Sequence, residues 1–132
     1  MTDDNIRLTP VRTVMSAPVV AIEAGCNLKV AVDAFVRTGL RHLVVVDSAG
    51  RSAGIVTFDQ VTAAWLDPRT LRPVTVQEVA GTRSVWVAPD TCVHDAAVVM
   101  ARHHLDAVPV VELSGLLVGV LTLSDLLRLL AS

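Results

Sequence analysis

Gly119-Val120-Leu121-Thr122-Leu123-Ser124-Asp125 ends an apolar, β-branched run with a hydroxyl and a carboxylate three residues apart. Sixty-five positions earlier the chain reads Gly54-Ile55-Val56-Thr57-Phe58-Asp59-Gln60. At that offset, without a gap, Val14, Ala31, Arg37, Val45, Val46, Gly50, Gly54 and Thr57 meet Val79, Ala96, Arg102, Val110, Val111, Gly115, Gly119 and Thr122. Conservative pairs such as Ile22 with Val87 and Phe35 with Met100 fill the intervals. The chain is therefore an internal duplication. The acid position of the phrase differs between the copies, Asp125 in one and Gln60 in the other.

Each copy reads alike. Val11–Met15 and Val76–Ala80 suit single-turn lead-in helices, and Val19–Ile22 and Val85–Val87 a short first strand. Leu28, Val32, Phe35, Val36 and Leu40 recur at the spacing of an amphipathic helix, with Asn27 to cap its start and Gly39 its end. The second-copy helix starts near Val93 and loses its pattern around His103 and His104. Two β-branched runs per copy then read as a strand pair around a turn, Leu43–Val46 with Ala53–Phe58 and Val108–Val111 with Leu116–Leu121. Closing helices follow at Val61–Leu66 and Leu123–Leu130. The expected fold class is α/β, two β-α-β-β-α repeats packed through their sheets with pseudo-twofold symmetry. Residues 1–10 form a tail, 11–66 the first repeat, 67–75 a linker with Pro68 and Pro73, and 76–132 the second repeat.

Composition narrows the function classes. Of 132 residues, 52% are hydrophobic and only 3% aromatic, which predicts a compact core of branched aliphatics. A net charge of -2, with Lys29 the only lysine, leaves no basic footprint for nucleic acid. Met1-Thr2-Asp3-Asp4-Asn5 is polar and acidic, unlike a secretory signal, and the Val108–Leu123 stretch is interrupted too often to span a membrane. Cys26 and Cys92 make no CxxC pair and read as buried structural thiols, the usage of a cytoplasmic protein.

The tandem units resemble a pair of cystathionine β-synthase (CBS) domains, the arrangement called a Bateman module. Val14-Met15 before Pro18, Arg41-His42-Leu43-Val44-Val45-Val46-Asp47, Val108-Pro109-Val110-Val111-Glu112 and the two glycine-threonine phrases carry the resemblance, from about residue 11 to 131. It implies a regulatory module rather than a catalyst. Its ligand would be AMP, ADP, ATP or S-adenosylmethionine, bound in a cleft between the repeats of a homodimer. Carried over residue by residue, it implies that Thr122 and Asp125 form the ribose-binding part of the site. Val87, Val108, Pro109 and Val120 then stand where the family walls the adenine. A carboxylate accepting from vicinal hydroxyls and a threonine hydroxyl at a strand-to-helix junction suit that role.

The first copy departs from the pattern. Thr57 is kept, but Gln60 lacks the charge and Asp59 is displaced by one residue, so Thr57 marks a second, weaker cleft. Arg41 and His42 occupy the places of Asp106 and Ala107, and are expected to face the phosphates of a nucleotide held by Thr122 and Asp125. Bland roles compete with these. Asp125 also suits a helix cap, Arg41 and His42 solvated positions, and Trp65 and Trp86 apolar cover. His94, His103 and His104 lack metal-ligand spacing, and no catalytic triad or phosphate loop stands out. The sequence thus points to a stand-alone, non-enzymatic, cytoplasmic sensor. It would need no cofactor and signal to an unidentified effector protein in trans. The alternative is a ligand-free dimerisation module.

Overall fold

The computed structural model describes residues 3–17, 19–81 and 85–131; Pro18, with Met1, Thr2 and Ser132, lies outside them. The chain divides into two compact units that are offset from the sequence repeats. One is contiguous, Val20–Ser84; the other is split, Met1–Val19 with Val85–Ser132.

The contiguous unit holds β1 (Ala21–Glu23), α2 (Leu28–Thr38), β2 (His42–Val46), β3 (Ser52–Thr57), α3 (Phe58–Trp65) and α4 (Val76–Ala80). Its sheet runs β1-β2-β3, parallel then antiparallel. Asn27 caps α2 by accepting the Val30 amide at 3.1 Å. Gly39 ends the helix at φ 69°, a left-handed conformation that costs glycine little. The buried face of α2 is Leu28, Ala31 and Phe35, narrower than the sequence stripe, because Val36 and Leu40 stand exposed. Those three side chains join Ile22, Leu43, Val45, Val56, Val61 and Val76 in one aliphatic core.

The split unit repeats this plan with α5 (Val93–Arg102), β4 (Ala107–Val111), β5 (Leu117–Thr122) and α6 (Leu123–Ala131), preceded by α1 (Asp3–Leu8) and a 3-10 turn at Val11–Thr13. Its first strand shrinks to one parallel bridge, Val87 to Val110. The loss of pattern at His103-His104 is the end of α5. His104 takes φ 53° at the position equivalent to Gly39. Cys92 replaces the capping Asn27 and offers no side-chain bond. At the same end of α5 the Val93 amide donates to the Thr9 carbonyl at 2.8 Å.

Each lead-in helix docks on the unit built from the other copy. Val11 and Arg12 donate to the Thr91 and Pro89 carbonyls, at 2.8 and 3.0 Å. Val76 and Gln77 make the equivalent bonds to Cys26 and Ala24, at 2.8 and 3.1 Å. Hydrogen bonding and burial act together here, since Val11 and Val76 each have no exposed surface and lie in their respective cores.

Candidate functional site

The Thr122-Asp125 pair forms the start of α6. Thr122 Oγ1 accepts the Asp125 amide at 3.1 Å, and Asp125 Oδ2 accepts the Thr122 amide at 2.9 Å. This reciprocal box satisfies two amides that the first helical turn leaves without partners. The first copy builds the same box from different chemistry. Thr57 Oγ1 accepts the Gln60 amide at 3.1 Å, and Gln60 Oε1 accepts the Thr57 amide at 3.0 Å. An uncharged amide therefore suffices for the cap.

The surroundings of the two boxes differ. Gln60 is exposed, whereas Asp125 is 2% exposed and is the buried charged residue of the core. Ser16 covers it, donating from Oγ to Asp125 Oδ1 at 3.1 Å, with Oδ2 at 3.4 Å. Ser16 is itself fixed by a two-way backbone bridge to Val120, at 2.9 and 3.1 Å. Arg128, one turn further along α6, ion-pairs with Asp125 Oδ1. Its own side chain is 69% exposed, against 0% for the carboxylate. In the contiguous unit the equivalents of Ser16 and Arg128 are Gly81 and Ala63. Neither residue was singled out from the sequence, although the same 65-residue offset that set Asp125 against Gln60 also sets these pairs side by side.

The other expected site residues spread over several surroundings. Val87 and Val108 belong to the aliphatic core of the split unit, and Val108 has no exposed surface, so these two back the site rather than line it. Pro109 and Val120 are direct cross-strand partners on the β4–β5 hairpin, outside that core cluster. Pro109 is itself buried, and Val120 half-buried. Arg41 and His42 belong to the contiguous unit, as does Thr57. Arg41 pairs with Asp59 at 3.5 Å and lies over the Phe58 ring at 5.8 Å, with 69% of its side chain exposed. Asp59, the displaced acid, thus faces Arg41 and not the box of α3.

A sequence model of the CBS domain matches residues 11–67 and again residues 76–132. The chain belongs to the CBS domain family. Among solved structures, the CBS domain pair of protein MJ0100 in complex with 5′-methylthioadenosine and S-adenosyl-L-methionine superposes with a TM-score of 0.83. It covers 94% of this chain and 97% of that one, at 24% identity. The cytosolic domain of the Mg2+ channel MgtE in complex with ATP gives a TM-score of 0.75 at 26% identity, over 94% of this chain and 50% of that one. The homoserine O-acetyltransferase of Methanohalophilus mahii is 30% identical over 109 residues, 83% of this chain and 22% of that enzyme. The CBS pair spans about a fifth of the length of the magnesium transporter and of the two enzymes among its curated relatives, the homoserine O-acetyltransferase and an L-aspartate semialdehyde sulfurtransferase.

The side chains gathered around Asp125 are hydrogen-bonding and charged groups. A carboxylate offers about four lone-pair positions to hydroxyl or cationic donors, and the Thr122 hydroxyl can donate as well as accept. Among the described residues no group of three or more His, Cys, Asp or Glu is placed to hold a metal ion, and no helix is long and apolar enough to cross a membrane. His94 hydrogen-bonds Asp95 at 3.3 Å.

Proposed function

We propose that this CBS pair is a regulatory, non-catalytic module that binds an adenosine-containing ligand, with Thr122 and Asp125 taking the ribose and Pro109 and Val120 the base. One observation carries the reading. The cap at Thr57 works with uncharged Gln60, so the charge of Asp125 is not needed to start α6. Yet the chain buries that charge and surrounds it with Ser16 and Arg128, while the contiguous unit has Gly81 and Ala63. A buried carboxylate is costly to desolvate, and a polyol ligand gives it a purpose. The MgtE cytosolic domain, whose structure contains ATP, supports an adenosine ligand at the level of the fold and the family.

Binding regulates only if the ligand prefers one arrangement of the protein over another. We further propose that the arrangement is read in the cytoplasm by an effector protein in trans, and that the chain acts as a homodimer. The exposed Leu123, Leu127 and Leu130, spaced along one side of α6, favour self-association. They also favour the second reading, a dimerisation module without a ligand.

Calorimetric titration with ATP, AMP and S-adenosylmethionine separates the two readings. Saturable binding by the wild type that weakens about tenfold in Asp125→Asn supports the sensor. No binding of any of the three, with a dimer in light scattering, leaves the ligand-free module.

A further inference from the structure

Asp125 is closed off as the structure stands. Its side chain has no exposed surface, so no ribose hydroxyl reaches it until a covering group moves. Three donors occupy the carboxylate: the Thr122 amide, the Ser16 hydroxyl and the Arg128 guanidinium. With about four lone-pair positions, one is left, and two vicinal hydroxyls need two.

The three donors differ in their freedom. The Thr122 amide is backbone, and its loss would open the α6 cap. Ser16 is a short side chain held by the two-way backbone bridge to Val120. Arg128 is long, anchored one helical turn away, and mostly in water. Exchanging it for solvent costs little, whereas moving either of the others unmakes structure.

Resting on the proposed adenosine reading, we infer that Arg128 is the movable cover of Asp125 and a specificity-determining residue of that site. The ribose displaces it, and the freed guanidinium pairs with the phosphate carried on the same sugar. A ligand with a phosphate repays the broken ion pair. Adenosine, which has none, does not. S-adenosylmethionine, with a sulfonium at that end of the sugar, brings a like charge towards the released arginine. The site therefore selects adenosine phosphates over uncharged or cationic adenosine compounds. In the first copy Ala63 stands at the position of Arg128, so its box has no such cover.

Affinities of ATP, adenosine and S-adenosylmethionine for wild type, Arg128→Met and Arg128→Lys test this. With the guanidinium end largely in water, the ion pair is worth about fivefold in an equilibrium. In Arg128→Met adenosine and S-adenosylmethionine should tighten by about that factor while ATP weakens, so the preference for ATP over adenosine falls roughly tenfold. Arg128→Lys should restore part of that preference, since the charge remains. A preference unchanged within about twofold in Arg128→Met, or a wild type that binds ATP and adenosine equally, overturns the role of Arg128 and leaves the adenosine site standing. A wild type that binds none of the three overturns both.

Discussion

Gln60 accepts the Thr57 amide at 3.0 Å, and Asp125 accepts the Thr122 amide at 2.9 Å, so one capping bond recurs with and without a charge. The first copy thus serves as an internal control for the second. Asp125→Asn keeps the acceptor and removes the charge. Thermal unfolding should register a change of about 1 kcal/mol or less, the scale of one cap interaction. Affinity for ATP should fall about tenfold, the difference between a charged and a neutral acceptor. Comparable losses in Gln60→Ala and Asp125→Asn affinities would remove the reason for assigning the site to the second copy.

The two repeat glycines are required for different reasons. Gly54 sits at φ 130°, a region that L side chains rarely adopt. Gly119 is held by contact instead, since a Cβ there would run into the Met15 side chain, with Cγ at 3.0 Å and Cε at 3.1 Å. Gly119→Ala should cost about 1 kcal/mol, the low end of overpacking because the flexible Met15 side chain can give way, read from urea unfolding. Met15→Ala in the same chain should recover much of it. The equivalent second change, Ala80→Gly, should do nothing for Gly54→Ala, whose strain is in its own backbone.

Arg41 is exposed and already paired with Asp59. Arg41→Ala should leave the unfolding midpoint nearly unchanged, because exposed ion pairs contribute under about 1 kcal/mol. The sequence-based expectation that Arg41 and His42 meet nucleotide phosphates then predicts a several-fold loss of ATP affinity with adenosine affinity unaltered. Equal affinities in the variant and the wild type would return Arg41 to a solvated surface role.

Acid should loosen the segment before α4. Glu78 forms a two-bonded pair with Arg72, at 3.1 and 2.9 Å, and that hydrogen bonding holds its carboxyl below the ordinary value of 4.5. A carboxyl depressed on folding stabilises the native state above its unfolded pKa, and the gain disappears as pH falls through the lower folded value. Glu78→Gln should therefore melt below the wild type at neutral pH, and the two curves should converge in the acid range below pH 4.5. The neighbouring Asp67, lowered by its bonds from Arg69, follows the same sign.

Much of the fold was legible because its signals are local. The strand runs, the Asn27 and Gly39 caps and the 65-residue offset depend on residues close in sequence or on simple repetition. The α2 stripe was drawn too wide because periodicity does not say where burial stops; Val36 and Leu40 continue the pattern into solvent. At the site, Thr122 and Asp125 were legible from their spacing. Ser16 was not, because its place beside Asp125 is set by tertiary packing of a segment 109 residues away. Arg128 was hidden for another reason: on an isolated helix an exposed arginine three residues after an acid is an ordinary surface pair.

The interrupted path of the split unit fixes an order of events during synthesis. Residues 20–84 are complete, sheet and lead-in helix included, by the time Val85 is added. The segment 1–19 must wait for β5 and α6, and Ser16 finds Asp125 only after the chain closes a loop of more than a hundred residues. The first repeat to be translated is thus the first able to form a core, yet it does so with the helix of the second. Of the two boxes, the one around Asp125 therefore closes second.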